Sequence, residues 1–146
     1  MIAMFDGKYA FLSNFYPSPF EVGGITFPSV EHWFQAYKTT DPTEFKAIAT
    51  AETPGKSKRM GRGCKLRPDW EEVKTDVMLG GLRHKFENPE LRAKLLATGN
   101  EELIEGNTWH DRTWGRCVCA KCGGQGQNLL GKLLMELRDE IRNEEA

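Results

Sequence analysis

The sequence predicts an α+β fold, mainly α-helical, in a single compact domain over residues 1–146 with a small hairpin and strand component near its N-terminus. Three observations carry this. Apolar residues recur at helical spacing in four long stretches, from Val30, Trp70, Leu91 and Leu129 onward. Alternating apolar residues flank Gly23-Gly24, which is a two-residue hairpin signal because both glycines adopt positive φ without cost. The length of 146 residues suits one core that needs neither metal nor disulfide for stability.

Along the chain, the first 28 residues are expected to be loops and short strands. "FLSNFYPSPF" is too rich in Pro, Ser and Asn for a regular strand, whereas Phe20 and Val22 before the glycine pair and Ile25 and Phe27 after it form the hairpin arms. Ser29 is a natural N-cap for a first helix that fades at "TTDP". A second helix is expected from about Pro42 to Ala51. The basic segment that follows has glycines at 55, 61 and 63 that mark turns, although "KSKRMGR" can hold a short helix. Asp69, with Glu72 three residues on, reads as a capping box opening a helix to about Phe86. Asn88-Pro89 starts the next, ended by Gly99. "ELIEGN" is a short strand candidate, "TWHDRTWGRCVCAKCGGQGQN" a long irregular loop, and the last helix runs from about Asn128 to Asn143.

Composition narrows the function classes. Charged residues at 28 % against 39 % apolar describe a globular chain rather than a disordered one. No apolar run approaches the ~18 to 20 residues of a bilayer span, and "MIAMFDGKYAF" lacks the basic-then-apolar layout of a signal peptide, so a cytoplasmic location is expected. A net charge of -1 gives no reason for tight nonspecific binding to DNA. The charge is unevenly spread, however. Lys56, Lys58, Arg59, Arg62, Lys65 and Arg67 lie between Thr53 and Pro68 with no acid among them, which favours a local anion site.

Several groups carry chemistry. In "SVEHWFQAYK" an apolar stripe of Val30, Trp33, Phe34 and Tyr37 runs beside a polar stripe of Glu31, Gln35 and Lys38. The macrodipole and the open N–H groups of a first turn favour Glu31 by about 0.3 to 1 kcal/mol, so its presence alone is explained structurally. Lys38 is seven residues from it, beyond i,i+4 pairing, so helix stabilisation does not explain the pair. If the faces are covered, the stripe lines a cleft in which a carboxylate stabilises positive charge or takes a proton from water. In "WHDRTWG", Asp111 lies between tryptophans. Either the loop plugs the core and Asp111 makes a turn, or an indole stacks on a planar ring and Asp111 binds a sugar hydroxyl or works with Glu31. The basic segment is either a solvated face or a phosphate grip, and it is not a Walker loop. "CVCAKC" supplies Cys117, Cys119 and Cys122, to which Cys64 or a histidine could add a fourth ligand for a structural zinc; reduced thiols are the alternative.

The motifs "FLSNFYPSPF", "PSVEHWFQAYK", "KRMGR", "W…VK…VM", "KF…NPELRAKLLATG", "LIEGN…D..WG" and "GQNLLGKLLMELR" occur in this order. With them the chain strongly resembles the NADAR family of YbiA-like N-glycosidases over nearly its whole length. The resemblance implies a compact, mainly helical α+β domain that hydrolyses N-glycosidic bonds and needs no cofactor for catalysis. Its substrates would be phosphoribosylated riboflavin-biosynthesis intermediates or ADP-ribosylated guanine in DNA. It implies Glu31 and Asp111 as catalytic carboxylates, Trp114 as a stacking residue, and Lys58, Arg59, Gly61 and Arg62 as the phosphate-binding segment. Gln35 and Lys38 share the face of Glu31, and Asn14, Phe15, Trp70 and Trp109 complete the expected substrate contacts. Where many relatives carry a glycine-rich stretch after "WG", this chain has its cysteines. The competing class is a module that binds ADP-ribose or a nucleotide without cleaving it.

Overall fold

A computed structural model describes residues 1–145, which fall into two units of contact, residues 14–87 and residues 1–13 with 88 onward. In the first unit the expected hairpin forms from β1 (Phe20–Val22) and β2 (Ile25–Phe27), antiparallel with Val22 opposite Ile25, and Gly23 and Gly24 take φ of 59° and 81°. Helix α1 (Val30–Ala36) follows, with the Ser29 hydroxyl accepting from the His32 N–H as its cap. Then come α2 (Pro42–Ala49), α3 (Pro54–Arg62) and α4 (Trp70–Lys85). All seven residues of α1 are buried, because the hairpin, α2, α3 and α4 all pack against it. Trp33 is the centre of that packing. Its indole N–H donates to the Val77 carbonyl at 2.8 Å, and its ring meets Phe27 edge-on at 5.0 Å. Gly81 makes room for it, since a Cβ there would lie 2.7 Å from the Trp33 ring. Hence α4 carries a glycine at 81 despite its helix cost of about 1 kcal/mol.

The short helix that the basic segment can hold does form, over nine residues: Thr53 caps it by accepting from Lys56 N–H, Pro54 occupies its first turn, and Gly55 and Gly61, expected to mark turns, lie inside it. One expectation in this unit is corrected. The capping box of Asp69 and Glu72 does not form. Asp69 has φ -96° and ψ 17°, outside the extended region a cap requires, and its carboxylate takes two hydrogen bonds from the Arg67 guanidinium instead.

The second unit begins with a 3-10 turn at Gly7–Leu12, where loop or strand was expected. It continues with α5 (Pro89–Ala97), two short parallel strands, β3 (Gly106–Asn107) and β4 (Arg116–Cys117), and α6 (Leu129–Glu145). The Asn88 side chain caps α5 as expected, accepting from Glu90 and Leu91 N–H. Leu91, Leu95, Leu130, Leu133, Leu134, Leu137 and Ile141 are buried. The long loop is tied down by Asn128, whose φ is 53°: its side chain accepts from Glu105 N–H and donates to the Leu103 carbonyl. No helix among the described residues is long and apolar enough to cross a membrane.

Candidate active site

The polar stripe of α1 is buried, with Glu31 7 % and Gln35 3 % exposed. A carboxylate and an amide at i,i+4 within a helix buried on all sides must satisfy each other, and Gln35 Nε2 donates to Glu31 Oε1 at 2.7 Å. That bond fixes the amide's orientation, because only its NH2 end can face the carboxylate. Gln35 Oε1 is then left against α3 as a buried acceptor with no hydrogen-bond partner. Gly61 is what it meets. A Cβ at 61 would run into Oε1 and lie 2.9 Å from Cδ, so the glycine lets α3 approach close enough to wedge the amide against Glu31. Asn14 secures the start of the helix: its carbonyl accepts from Glu31 N–H at 3.1 Å and its side-chain amide donates to Met78 Sδ at 3.3 Å. Its own Oδ1 is a second buried acceptor without a partner.

Lys38 interacts electrostatically with this acid. Lys38 lies just past the C-terminus of α1, not on it as the seven-residue stripe implied, but a Lys38 N–H bond to the Gln35 carbonyl continues the coil tightly. Its ammonium lies 5.6 Å from the centre of the Phe34 ring and 5.9 Å from that of Trp70. Burial pushes the Lys38 pKa down, the Glu31 carboxylate pulls it back up, and Lys58 and Arg62 push it down again. Lys38 is thus the group on which the Glu31 carboxylate, the Cys64 thiol and the two α3 cations all act. Along α3, Ser57 and Gly61 face the protein, and Lys58 and Arg62, one turn apart, share the adjoining side. Arg59 is exposed and, at 100° per residue, points away from that buried face. Phe15 is exposed with the Lys58 ammonium 5.9 Å from its ring centre, whereas Trp70 is buried against Phe34 at 5.0 Å.

In the other unit, Asp111 makes a turn, its Oδ1 accepting from Thr113 and Trp114 N–H at 3.1 and 2.9 Å. Buried Asn107, absent from the expected site, holds it by accepting from Asp111 N–H and donating to the Asp111 carbonyl. Trp109 is 60 % exposed and Trp114 half-buried. Cys117, Cys119 and Cys122 gather around His110, with all four donor atoms within 4.8 Å of one another. The fourth member is thus the histidine, not Cys64, whose thiol packs beside the Phe27–Trp33 core.

One further group was missed. Lys85, 1 % exposed, lies 5.2 Å from the centre of the Phe86 ring and 5.7 Å from that of Tyr16, and burial pushes its pKa down to about 7. The signal was present, since it completes the i, i+3, i+4, i+7 stripe of Met78, Gly81 and Leu82.

Comparison with known proteins places the chain in a family. The model of the NADAR domain matches residues 4–142. N-glycosidase YbiA of Escherichia coli is 44 % identical over 136 residues, covering 91 % of this chain and 82 % of the relative. A riboflavin biosynthesis protein of Vibrio vulnificus is 36 % identical over 94 % of this chain but only 37 % of its own length. The NMR structure of the Escherichia coli protein YbiA superposes with a TM-score of 0.82 at 40 % identity, covering 99 % of this chain and 89 % of that one.

Proposed function

We propose, because the chain belongs to the NADAR domain family and is an N-glycosidase, that its substrate is a phosphorylated ribose, phosphoribosyl or ADP-ribosyl, joined to a nucleobase-like heterocycle, and that Glu31 carries the hydrolysis. The observation behind this reading is a buried carboxylate, held at 2.7 Å by Gln35 and interacting electrostatically with Lys38, on which Lys58 and Arg62 also act.

The ribosyl C–N bond breaks with its electron pair leaving on the heterocycle's nitrogen, and the sugar becomes oxocarbenium-like. A carboxylate in a water-poor setting stabilises that positive charge far more than it does the neutral ground state. Water adds to the anomeric carbon, and its proton passes to Glu31, while the departing nitrogen is protonated from solvent or a neighbouring acid. Glu31 then releases that proton to solvent or to the acid that protonated the nitrogen, so in net terms the water's hydroxyl ends on the sugar and one proton on the base, with the carboxylate regenerated. Lys58 and Arg62 would hold the phosphate, as both substrate classes require. Asp111 would bind a ribose hydroxyl or share the proton transfer, and Trp114 would stack on base or sugar. No cofactor enters the step; a zinc at the His–Cys group would be structural.

The test is Glu31→Gln, assayed by chromatography for released base with phosphoribosylaminouracil and with ADP-ribosylated DNA. The reading expects wild-type release from one of the two and a variant that folds normally but loses turnover by roughly 10²- to 10⁴-fold. Parental turnover in Glu31→Gln would overturn the assignment.

A further inference from the structure

Cys117, Cys119 and Cys122 are free thiols, and Nδ1 of His110 lies 3.7, 3.6 and 3.4 Å from their sulfurs. One imidazole nitrogen has a single lone pair or a single N–H, so it cannot hydrogen-bond three sulfurs at once. Coordination explains the arrangement. Zinc bonds of about 2.3 Å to sulfur and 2.0 to 2.1 Å to nitrogen, at tetrahedral angles, separate the nitrogen from each sulfur by about 3.6 Å.

The backbone is shaped for the same purpose. Cys122 N–H donates to Cys119 Sγ at 3.4 Å, the kind of outer contact that supports a metal-bound thiolate. The chain then doubles back through Gly123 and Gly124, at φ 61° and 86°, whose N–H groups reach the carbonyls of Cys119 and Cys117. On the other side His110 takes φ 69°, a left-handed conformation that few non-glycine residues adopt, and this brings its ring over the sulfurs. Cys117 and Cys122 are buried, Cys119 is half-buried and His110 exposed, and four protein donors fill a tetrahedral shell, as in structural rather than catalytic zinc sites.

We propose that His110, Cys117, Cys119 and Cys122 bind one zinc ion, and that this ion holds residues 109–114 in place for substrate. The second half rests on the N-glycosidase reading of Asp111 and the tryptophans. On binding, each thiol releases its proton to solvent and the imidazole coordinates through Nδ1 with its proton on Nε2. Nothing is oxidised. The resulting single negative charge lies in sequence among Asp111, Arg112, Arg116 and Lys121.

The experiment uses the full chain purified under reducing conditions. Elemental analysis should find about one zinc per chain, and stripped protein titrated with Co2+ should develop thiolate-to-cobalt charge-transfer bands and tetrahedral ligand-field bands. Cys119→Ser and His110→Ala should weaken Co2+ binding about tenfold or more, with Cys64→Ser unchanged. Stripping zinc should raise KM for hydrolysis and restoring it should reverse the change. Wild-type protein with no zinc and no Co2+ spectrum overturns the site, a result independent of whether either ligand variant folds. Full metal occupancy with KM unaffected by stripping overturns the positioning half. Zinc-loaded protein without hydrolysis counts against the glycosidase reading alone and leaves the metal site standing.

Discussion

Gln35 Nε2 donates to Glu31 Oε1 at 2.7 Å one turn along α1, and the same amide's oxygen is turned onto Gly61 of α3. The proposed nucleophile-activating acid is therefore positioned by a side chain that a second helix holds in place. Gln35→Met keeps the volume and removes the donor, and Gly61→Ala pushes a methyl into the amide. Both should lower kcat, by about 10²-fold if the carboxylate moves by an ångström, with a smaller change in KM. Steady-state kinetics with a pH profile checks this. A kcat equal to the parent's in both variants would show that the amide is packing alone.

This pair also shows how far the sequence reaches. Glu31 and Gln35 are legible as a stripe because i,i+4 spacing on a helix determines adjacency. That the stripe is buried is not legible: it depends on α3 forming a continuous helix, and its glycines read locally as turn residues when they in fact serve close approach at Gly61. The cysteines admit Cys64 or a histidine as a fourth ligand, and the choice of His110 is not legible because its place beside them depends on a left-handed backbone angle that periodicity does not report. Lys85 went unnoticed for a related reason, since polarity outweighed its place on an apolar stripe.

Helix α3 presents its cations on different sides. Lys58 and Arg62 lie next to the buried Ser57–Gly61 face and influence Lys38, whereas Arg59 lies opposite. A charged hydrogen bond to phosphate is worth about 1.5 to 3 kcal/mol, so Lys58→Ala and Arg62→Ala should each raise KM about 10- to 100-fold at low salt. Arg59→Ala should change it little. Kinetics at two salt concentrations separates the three, and a strong KM effect confined to Arg59 would reverse the assignment.

Asn128 stabilises the second unit through two side-chain hydrogen bonds, one buried and one partly buried, and takes a φ of 53°. Asn128→Ala loses both bonds and strains the backbone, with an expected cost of about 2 to 4 kcal/mol. Asn128→Gly loses the bonds but tolerates the angle, and should be the less destabilised of the two. Urea unfolding of both variants measures the difference. Equal stabilities would assign the residue's whole contribution to hydrogen bonding.

The buried ammonium of Lys85 makes stability depend on pH in a stated direction. Burial lowers its pKa from 10.5 to about 7, so between those values the unfolded chain binds the proton that the folded chain has released. Stability contributed by this group therefore rises with pH across that window, at no more than about 1.4 kcal/mol per pH unit, and the penalty of the buried charge is complete below the folded value. Tyr37 and Cys64, whose pKa values burial raises, act in the opposite sense but are common to parent and variant. Urea unfolding of the wild type and Lys85→Met at about pH 7 and about pH 9.5 should show the parent gaining on the variant at the higher pH. Parallel stability curves for the two proteins would mean that Lys85 keeps its charge in the folded state, and that its surroundings solvate an ammonium after all.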